Sequence, residues 1–279
     1  MKNRKLFGSL MLLIATLIWG LAYTVQTISS ENLGTFTIVF FKGVGGLFLL
    51  PMVLMGKHKL DVETVLWGVL IGTASFVGCA FQQLGIENST VSKAGFITSL
   101  YIIIVPLIEI IRGKKVNRKI IYSVAIATLG LYFLCFSNSE SFGVGDLYLL
   151  ICSLFFAIQI IFVDESTLKH DAISIAVVLQ MTIALESGIL MMTIEKPEMS
   201  ALLASWPALI YMVFISGVIA ITIQVVFQKD CGPELSSLIM SFEAVFGTIF
   251  GWLILHQTLS PREILGCILV FIAILFAEF

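Results

Sequence analysis

Two stretches decide the fold: Gly8-Ser-Leu-Met-Leu-Leu-Ile-Ala-Thr-Leu17 and Gly145-Asp-Leu-Tyr-Leu-Leu-Ile-Cys-Ser-Leu154. At an offset of 137, six of ten positions are identical, and Ala/Cys and Thr/Ser are close substitutions. Farther along, the apolar–break–apolar unit around 81–111 resembles that around 224–255. Self-similarity at a fixed spacing is the mark of a repeated structural unit. It predicts two halves, 1–137 and 142–279.

Both stretches are almost wholly apolar, and so is the chain around them. Of 279 residues, 58% are hydrophobic and 12% are charged, with a mean hydropathy of +1.04. A soluble domain carries about 25% charged residues. Half of that cannot cover a globule in water, which excludes a soluble cytosolic enzyme, a disordered chain and a nucleic-acid binder. The formal net charge of −2 sets up no field that recruits an anionic partner. The solvent is lipid.

A spanning helix needs roughly 20 mostly apolar residues. Ten segments qualify: 6–28, 35–55, 64–86, 91–111, 118–136, 145–163, 172–193, 206–228, 233–255 and 262–279. The first runs too far to be a signal-peptide core of roughly 7–15 residues and reads as a span. The predicted fold is an all-α integral membrane protein of ten helices. Five spans per half is an odd number, so the second half must enter the membrane inverted. Inverted repeats are an architecture of secondary transporters, with the binding site near the midplane between the halves.

Lys and Arg orient the chain. With the N-terminus inside, twelve of them fall in inner segments: Lys2, Arg4, Lys5, Lys57, Lys59, Arg112, Lys114, Lys115, Arg118, Lys119, Lys169 and Lys229. Three fall outside, Lys93, Lys196 and Arg262, and Lys42 lies within a span. Both termini are expected in the cytoplasm. Short loops throughout favour a bacterial inner membrane.

Polar side chains inside spans are costly and usually face the bundle interior or a wet path. Lys42 lies about 10 Å inside the outer end of span two at 1.5 Å per residue. It is read either as half of a fixed helix–helix ion pair or as a cation for a substrate carboxylate. Glu186, at matching depth in span seven, is its expected partner. Glu243, mid-way along span nine, is a candidate to take a proton during the cycle, bind an amino group or bond a neighbouring helix. Glu109, three residues from Arg112, reads as an interfacial ion pair.

Gln82, Gln83, Gln159, Gln180 and Gln224 recur in spans of both halves. Each could glue helices, and together they could supply the few polar groups a solute site needs. Trp19, Tyr23, Phe96 and Tyr101 could wall a cavity. Tyr23, near the outer interface, also suits an aromatic belt, but Trp19 stands one turn away and shares its face. The expected substrate path is Trp19, Tyr23, Lys42, Gln83, Phe96, Tyr101, Gln159, Gln180, Glu186, Gln224 and Glu243. Gly68/Gly72 and Gly247/Gly251 read as close helix packing.

Five cysteines, without a metal-ligand spacing, and three histidines, His58, His170 and His256, in polar breaks leave no expected metal or cofactor. No phosphate-cradling loop is present, so direct ATP coupling is not expected. The expected partners are a small-molecule substrate, the bilayer and protons as coupling ion; a homodimer is compatible with the sequence. Two other functions stay open: an accessory membrane subunit of a larger transport complex, and an intramembrane enzyme, for which no span holds a histidine or an Asp/His cluster.

The stretch Phe81-Gln-Gln-Leu-Gly-Ile-Glu-Asn-Ser-Thr-Val-Ser-Lys-Ala-Gly-Phe-Ile-Thr-Ser-Leu100, with Val105-Pro106, resembles the third-to-fourth-helix signature of EamA-type carriers of the drug/metabolite transporter superfamily. Ser241-Phe-Glu-Ala-Val-Phe246, Gly251-Trp252 and Leu265-Gly266 resemble the matching signature of the second repeat, and Phe40-Phe41-Lys42 the second-helix motif. The resemblance implies ten helices, alternating access and movement of small organic metabolites, with amino acids as frequent cargo, often exported. Glu243-Ala244 replaces the Glu-Pro of many relatives, which predicts a straighter helix nine. His256-Gln257 replaces Gly-Glu, so no role can be borrowed from that glutamate.

Overall fold

The computed structural model describes residues 2–89, 91–135, 142–255 and 260–278. Long apolar runs dictate helix here because hydrocarbon offers backbone N–H and C=O groups no partner but their own chain. Eight helical runs are long and apolar enough to cross a bilayer: α1 (Asn3–Ser29), α2 (Thr35–Gly56), α3 (Val62–Asn88), α4 (Ala94–Ile111), α6 (Val144–Thr167), α7 (Ala172–Glu195), α8 (Trp206–Asp230) and α9 (Pro233–Ile254). Two more helices, α5 (Arg118–Cys135) and α10 (Pro261–Glu278), pack against each other at the side of the bundle. The junction of the two expected halves, and His256-Gln257, lie outside the described residues.

Ionic and polar contacts sort the loops into two ends. At one end Arg4 pairs with Asp230 at 2.8 Å and Lys5 with Glu278 at 3.5 Å. Glu109 holds Lys114 at 2.6 Å and Arg112 at 3.3 Å, the latter being the i,i+3 pair anticipated from sequence. Both cations also reach Glu165 of α6. His58 meets Asp171 at 3.0 Å, and His170 meets Thr64 at 3.3 Å. At the other end the Glu195 carboxylate closes the start of α2, accepting from Phe36 N at 2.7 Å and from Thr37 N at 2.8 Å. Thr35 donates to Glu87 and Ser89 to Asp146 there, both at 2.9 Å.

The interior is built by close helix crossings. α3 lies along α6 and α7, α2 along α7, and α1 along α8 and α9. Gly68 and Gly72 make the α3–α7 crossing: a Cβ on Gly72 would stand 2.5 Å from Thr182 Cβ. Gly247 is looser than its spacing suggested, with no atom nearer than 3.6 Å to its would-be Cβ.

Several helices are irregular, three of them around the bundle interior near Lys42 and Glu243. α2 changes direction at Gly45, just after Lys42. α8 is π-helical over Tyr211–Ile221, and a Cβ on its Gly217 would stand 2.4 Å from the Lys42 carbonyl oxygen. α9 tightens at Ser241–Phe242, where Phe242 N bonds Ile239 O three residues back and the Ser241 hydroxyl takes the Leu238 carbonyl at 2.7 Å. A serine hydroxyl taking a backbone carbonyl thus marks an interruption of the helix without proline.

Candidate functional site

α4 and α9 interrupt at matching places. In α4 the turn tightens at Ser99–Leu100, where Leu100 N bonds Ile97 O, as Phe242 N bonds Ile239 O in α9. Serine, then a large apolar residue, then a polar side chain follow in the same order: Ser99-Leu100-Tyr101 and Ser241-Phe242-Glu243. The residues after the two breaks meet: Tyr101 Oη donates to Glu243 Oε1 at 3.0 Å, buried.

A cavity opens beside this contact. It measures about 60 Å³ as the space that the centre of a water molecule can reach. A single water needs roughly 10–15 Å³ on that measure, so the cavity holds several. Helices α1 to α4 and α6 to α9 all line it, while α5 and α10 stand outside.

Lys42 and Glu243 both line the cavity, 7% and 5% exposed. The Lys42 amino group contacts Cys79 Sγ at 3.5 Å, and no carboxylate among the described residues pairs with it. The pairing expected with Glu186 is not formed. Glu186 instead accepts from Thr73 Oγ1 at 2.6 Å, because α2 turns Lys42 toward the cavity and α7 turns Glu186 toward α3. Lys42 is thus a buried amine whose neighbour is a weak acceptor, facing room for an anion.

Amides and rings complete the lining. Gln82 Nε2 donates to Tyr23 Oη at 3.1 Å. Gln159 and Gln224 bond each other reciprocally, at 3.3 and 3.1 Å. Gln224 also donates to Gln228 Oε1 at 3.1 Å, and Gln228 to the Ile160 carbonyl at 2.6 Å. Trp19 lines the wall and donates from its indole to Ser216 O at 3.4 Å. Tyr23 is 3% exposed, so it serves the interior and no lipid-facing belt.

Seven of the eleven residues of the expected path, and the amide Gln82 with them, therefore meet at one cavity: Trp19, Tyr23, Lys42, Tyr101, Gln159, Gln224 and Glu243. Four lie elsewhere. Gln83 bonds Glu87 at 3.2 Å, Phe96 packs in the core near Tyr23, Gln180 is buried against Gly45, and Glu186 holds Thr73. Gln26, Ser75 and Phe156 also line the cavity and were missed. Helical spacing would have found them: Gln26 extends the Trp19–Tyr23 stripe, and Ser75, Cys79 and Gln82 form an i, i+4, i+7 face.

The lining also pairs across the two halves. Trp19 and Phe156, Ala22 and Gln159, Tyr23 and Ile160, and Lys42 and Leu179 share one sequence offset. Cys79 and Ile221, Gln82 and Gln224, and Tyr101 and Glu243 share another. These seven pairs account for fourteen of the eighteen lining residues.

Comparison with known proteins agrees with this arrangement. The sequence model of the EamA-like transporter family matches residues 6–136 and again 143–279. A protein of Archaeoglobus fulgidus described as an uncharacterized transporter is 29% identical over 277 residues, covering 98% of this chain and 86% of that protein. One solved crystal structure superposes with a TM-score of 0.79 at 16% identity, over 97% of this chain and 96% of the other, which shows a shared fold. The buried polar cavity is thus framed by a matched pair of broken helices within a chain that belongs to the EamA-like transporter family.

Proposed function

We propose that this membrane transporter is a secondary carrier that moves a small organic metabolite, an amino acid or a related compound, outward by alternating access. α5 and α10 complete ten spans, arranged as two inverted five-helix halves, 1–137 and 142–279. The end that holds Arg4, Lys5, Arg112, Lys114 and Lys169 is cytoplasmic, by the preference of Lys and Arg for that face.

One observation carries the reading. Lys42 and Glu243, of opposite charge type, line one midplane cavity without pairing directly. Two such groups fit the carboxylate and the amino group of a zwitterion. Tyr101 orients the Glu243 carboxyl, and the Trp19 and Phe156 rings cover the apolar part of the cargo. Glu243 is also where a coupling proton would bind. The Gln82, Gln159 and Gln224 amides add hydrogen bonds of the kind that fix a polar solute.

The test uses the purified chain alone in liposomes preloaded with unlabelled amino acids, with uptake of labelled solute as the readout. Counterflow of a zwitterion, abolished in both Lys42→Met and Glu243→Gln, supports the reading. Absence of counterflow for every solute, with activity regained only on adding a second protein, refutes it.

A further inference from the structure

The two amide contacts at the cavity share one equivalent pair of positions, Gln82 and Gln224, while their partners Tyr23 and Gln159 stand one residue out of correspondence. The Tyr23–Gln82 bond joins α1 to α3, and the Gln159–Gln224 pair joins α6 to α8. The offsets that relate the linings take Ala22 and Tyr23 to Gln159 and Ile160, and Gln82 to Gln224. The two contacts are therefore related in place, each joining an equivalent glutamine to the neighbouring helix.

They lie on opposite sides of the cavity. Tyr23 and Gln82 stand past the midpoints of α1 and α3, toward their C-terminal ends, near Thr35 and Glu87. Gln159 and Gln224 stand past the midpoints of α6 and α8, toward their C-terminal ends, near Glu165 and Asp230. Lys42, Tyr101 and Glu243 lie between.

Both contacts bridge the same two bodies. α3 is packed along α6, and α1 is packed along α8 and α9, whereas α1 touches α3 and α6 touches α8 only lightly. All four side chains are buried: Tyr23 3%, Gln82 6%, Gln159 6% and Gln224 4% exposed.

We infer that Tyr23–Gln82 and Gln159–Gln224 are the two gates of the cavity, opened one at a time as the α1/α8/α9 body rocks against the α3/α6 body. This deepens the carrier reading and rests on its inverted arrangement. Each bond is made between neutral groups and is worth little net when water can replace it, which suits a contact that breaks in every cycle. Gln228 continues the second gate toward its own end, bonding Gln224 and the Ile160 carbonyl in a chain of amides.

The test reads which face of the membrane reaches the cavity. Cys79 lines the cavity and is its natural probe. In the full-length chain, Cys135, Cys152, Cys231 and Cys267 are replaced by alanine. Cys79 is then modified with a membrane-impermeant sulfonate-bearing methanethiosulfonate, added to one face of sealed vesicles at a time, and Cys79→Ala gives the background. Gln82→Leu or Tyr23→Phe raises the modification rate from one face about fivefold, the equilibrium shift expected for one lost neutral hydrogen bond. Gln224→Leu or Gln159→Leu raises it by a similar factor from the opposite face. Two variants per gate guard against a single misfolded one. Rates that rise from the same face for both gates, or from neither, overturn the inference. The readout needs no cargo. Flux that persists with unmoved labelling sinks the gates alone, and opposite-face labelling without flux of any solute sinks the carrier reading alone.

Discussion

Lys42→Met separates a structural lysine from one kept for a ligand. The side chain is 7% exposed near the middle of the bundle, and among the described residues a thiol is its one polar contact. A lysine at the centre of a spanning helix costs about 2.5–3.5 kcal/mol by insertion measurements. A fixed ion pair would recover much of that, but among the described residues no carboxylate pairs with the amine. Methionine has a similar length and fills the same space without the amine. The substitution is therefore expected to stabilise the empty protein by about 2 kcal/mol, an unfolding midpoint higher by roughly 4–8 °C for a chain of this size. The same variant loses carboxylate-bearing cargo, a trade of stability against function. The assay is tryptophan-monitored thermal unfolding in one detergent, beside binding of the transported solute. A midpoint that falls by several degrees would show that Lys42 ties helices together, and undisturbed affinity for a carboxylate would remove it from the site.

Further substitutions probe the frame that positions the cavity. Gly72→Val drives a side chain into Thr182 at the α3–α7 crossing and costs about 1–3 kcal/mol, read as a lower unfolding midpoint; an unchanged midpoint would mean that the helices are farther apart. Glu195→Gln weakens three bonds to the first turn of α2, two from backbone amides and one from the Thr37 hydroxyl, for a loss of about 1–2 kcal/mol. In a Thr37→Val background its effect shrinks, because one of the three bonds is already gone; an unchanged effect would show that the hydroxyl contact is not made. Asp171 caps α7. Burial raises its pKa, but hydrogen bonds from Ser174 and His58 outweigh that and hold the carboxyl below its ordinary value. A depressed carboxylate adds stability that is present above the ordinary value of about 4 and is lost as pH falls through the lowered one. Asp171→Asn keeps a capping side chain and should flatten the acid limb of the stability curve below about pH 4. A curve identical to wild type would show that the cap does not depend on charge.

Much of the helical frame was legible because hydrocarbon thickness fixes span length and apolar runs announce themselves. The limits of α1, α2, α7 and α9 lie within a few residues of those read from hydropathy. Breaks inside spans were not legible, since hydropathy is blind to whether a serine bonds its own backbone. Ser241 shows this: no proline marks the spot, yet the helix is interrupted where its hydroxyl bonds Leu238 O. The cavity was half legible. Cost marks Lys42 and Glu243 as purposeful, but composition does not say which way a helix is rotated. Glu186 and Lys42 sit at matching depth, yet α7 presents Glu186 to Thr73 on α3 while α2 presents Lys42 to Cys79. Gln82 and Gln83 are adjacent in sequence and about 100° apart around α3. One meets Tyr23 at the cavity and the other bonds Glu87 on its own helix. Serines and small residues such as Ser75 carry no hydropathy signal and emerge only when neighbouring turns are read together.

Two halves of opposite orientation enclosing one cavity form the central claim, and side-specific labelling tests it directly. Single cysteines at Lys59, Lys115, Glu31 and Lys196, in the cysteine-free full-length chain, are exposed to an impermeant maleimide from each face of sealed vesicles. Residues 59 and 115 are predicted to react from the cytoplasmic face and residues 31 and 196 from the opposite one. Reaction of all four from a single face would contradict the inverted arrangement and the carrier built on it.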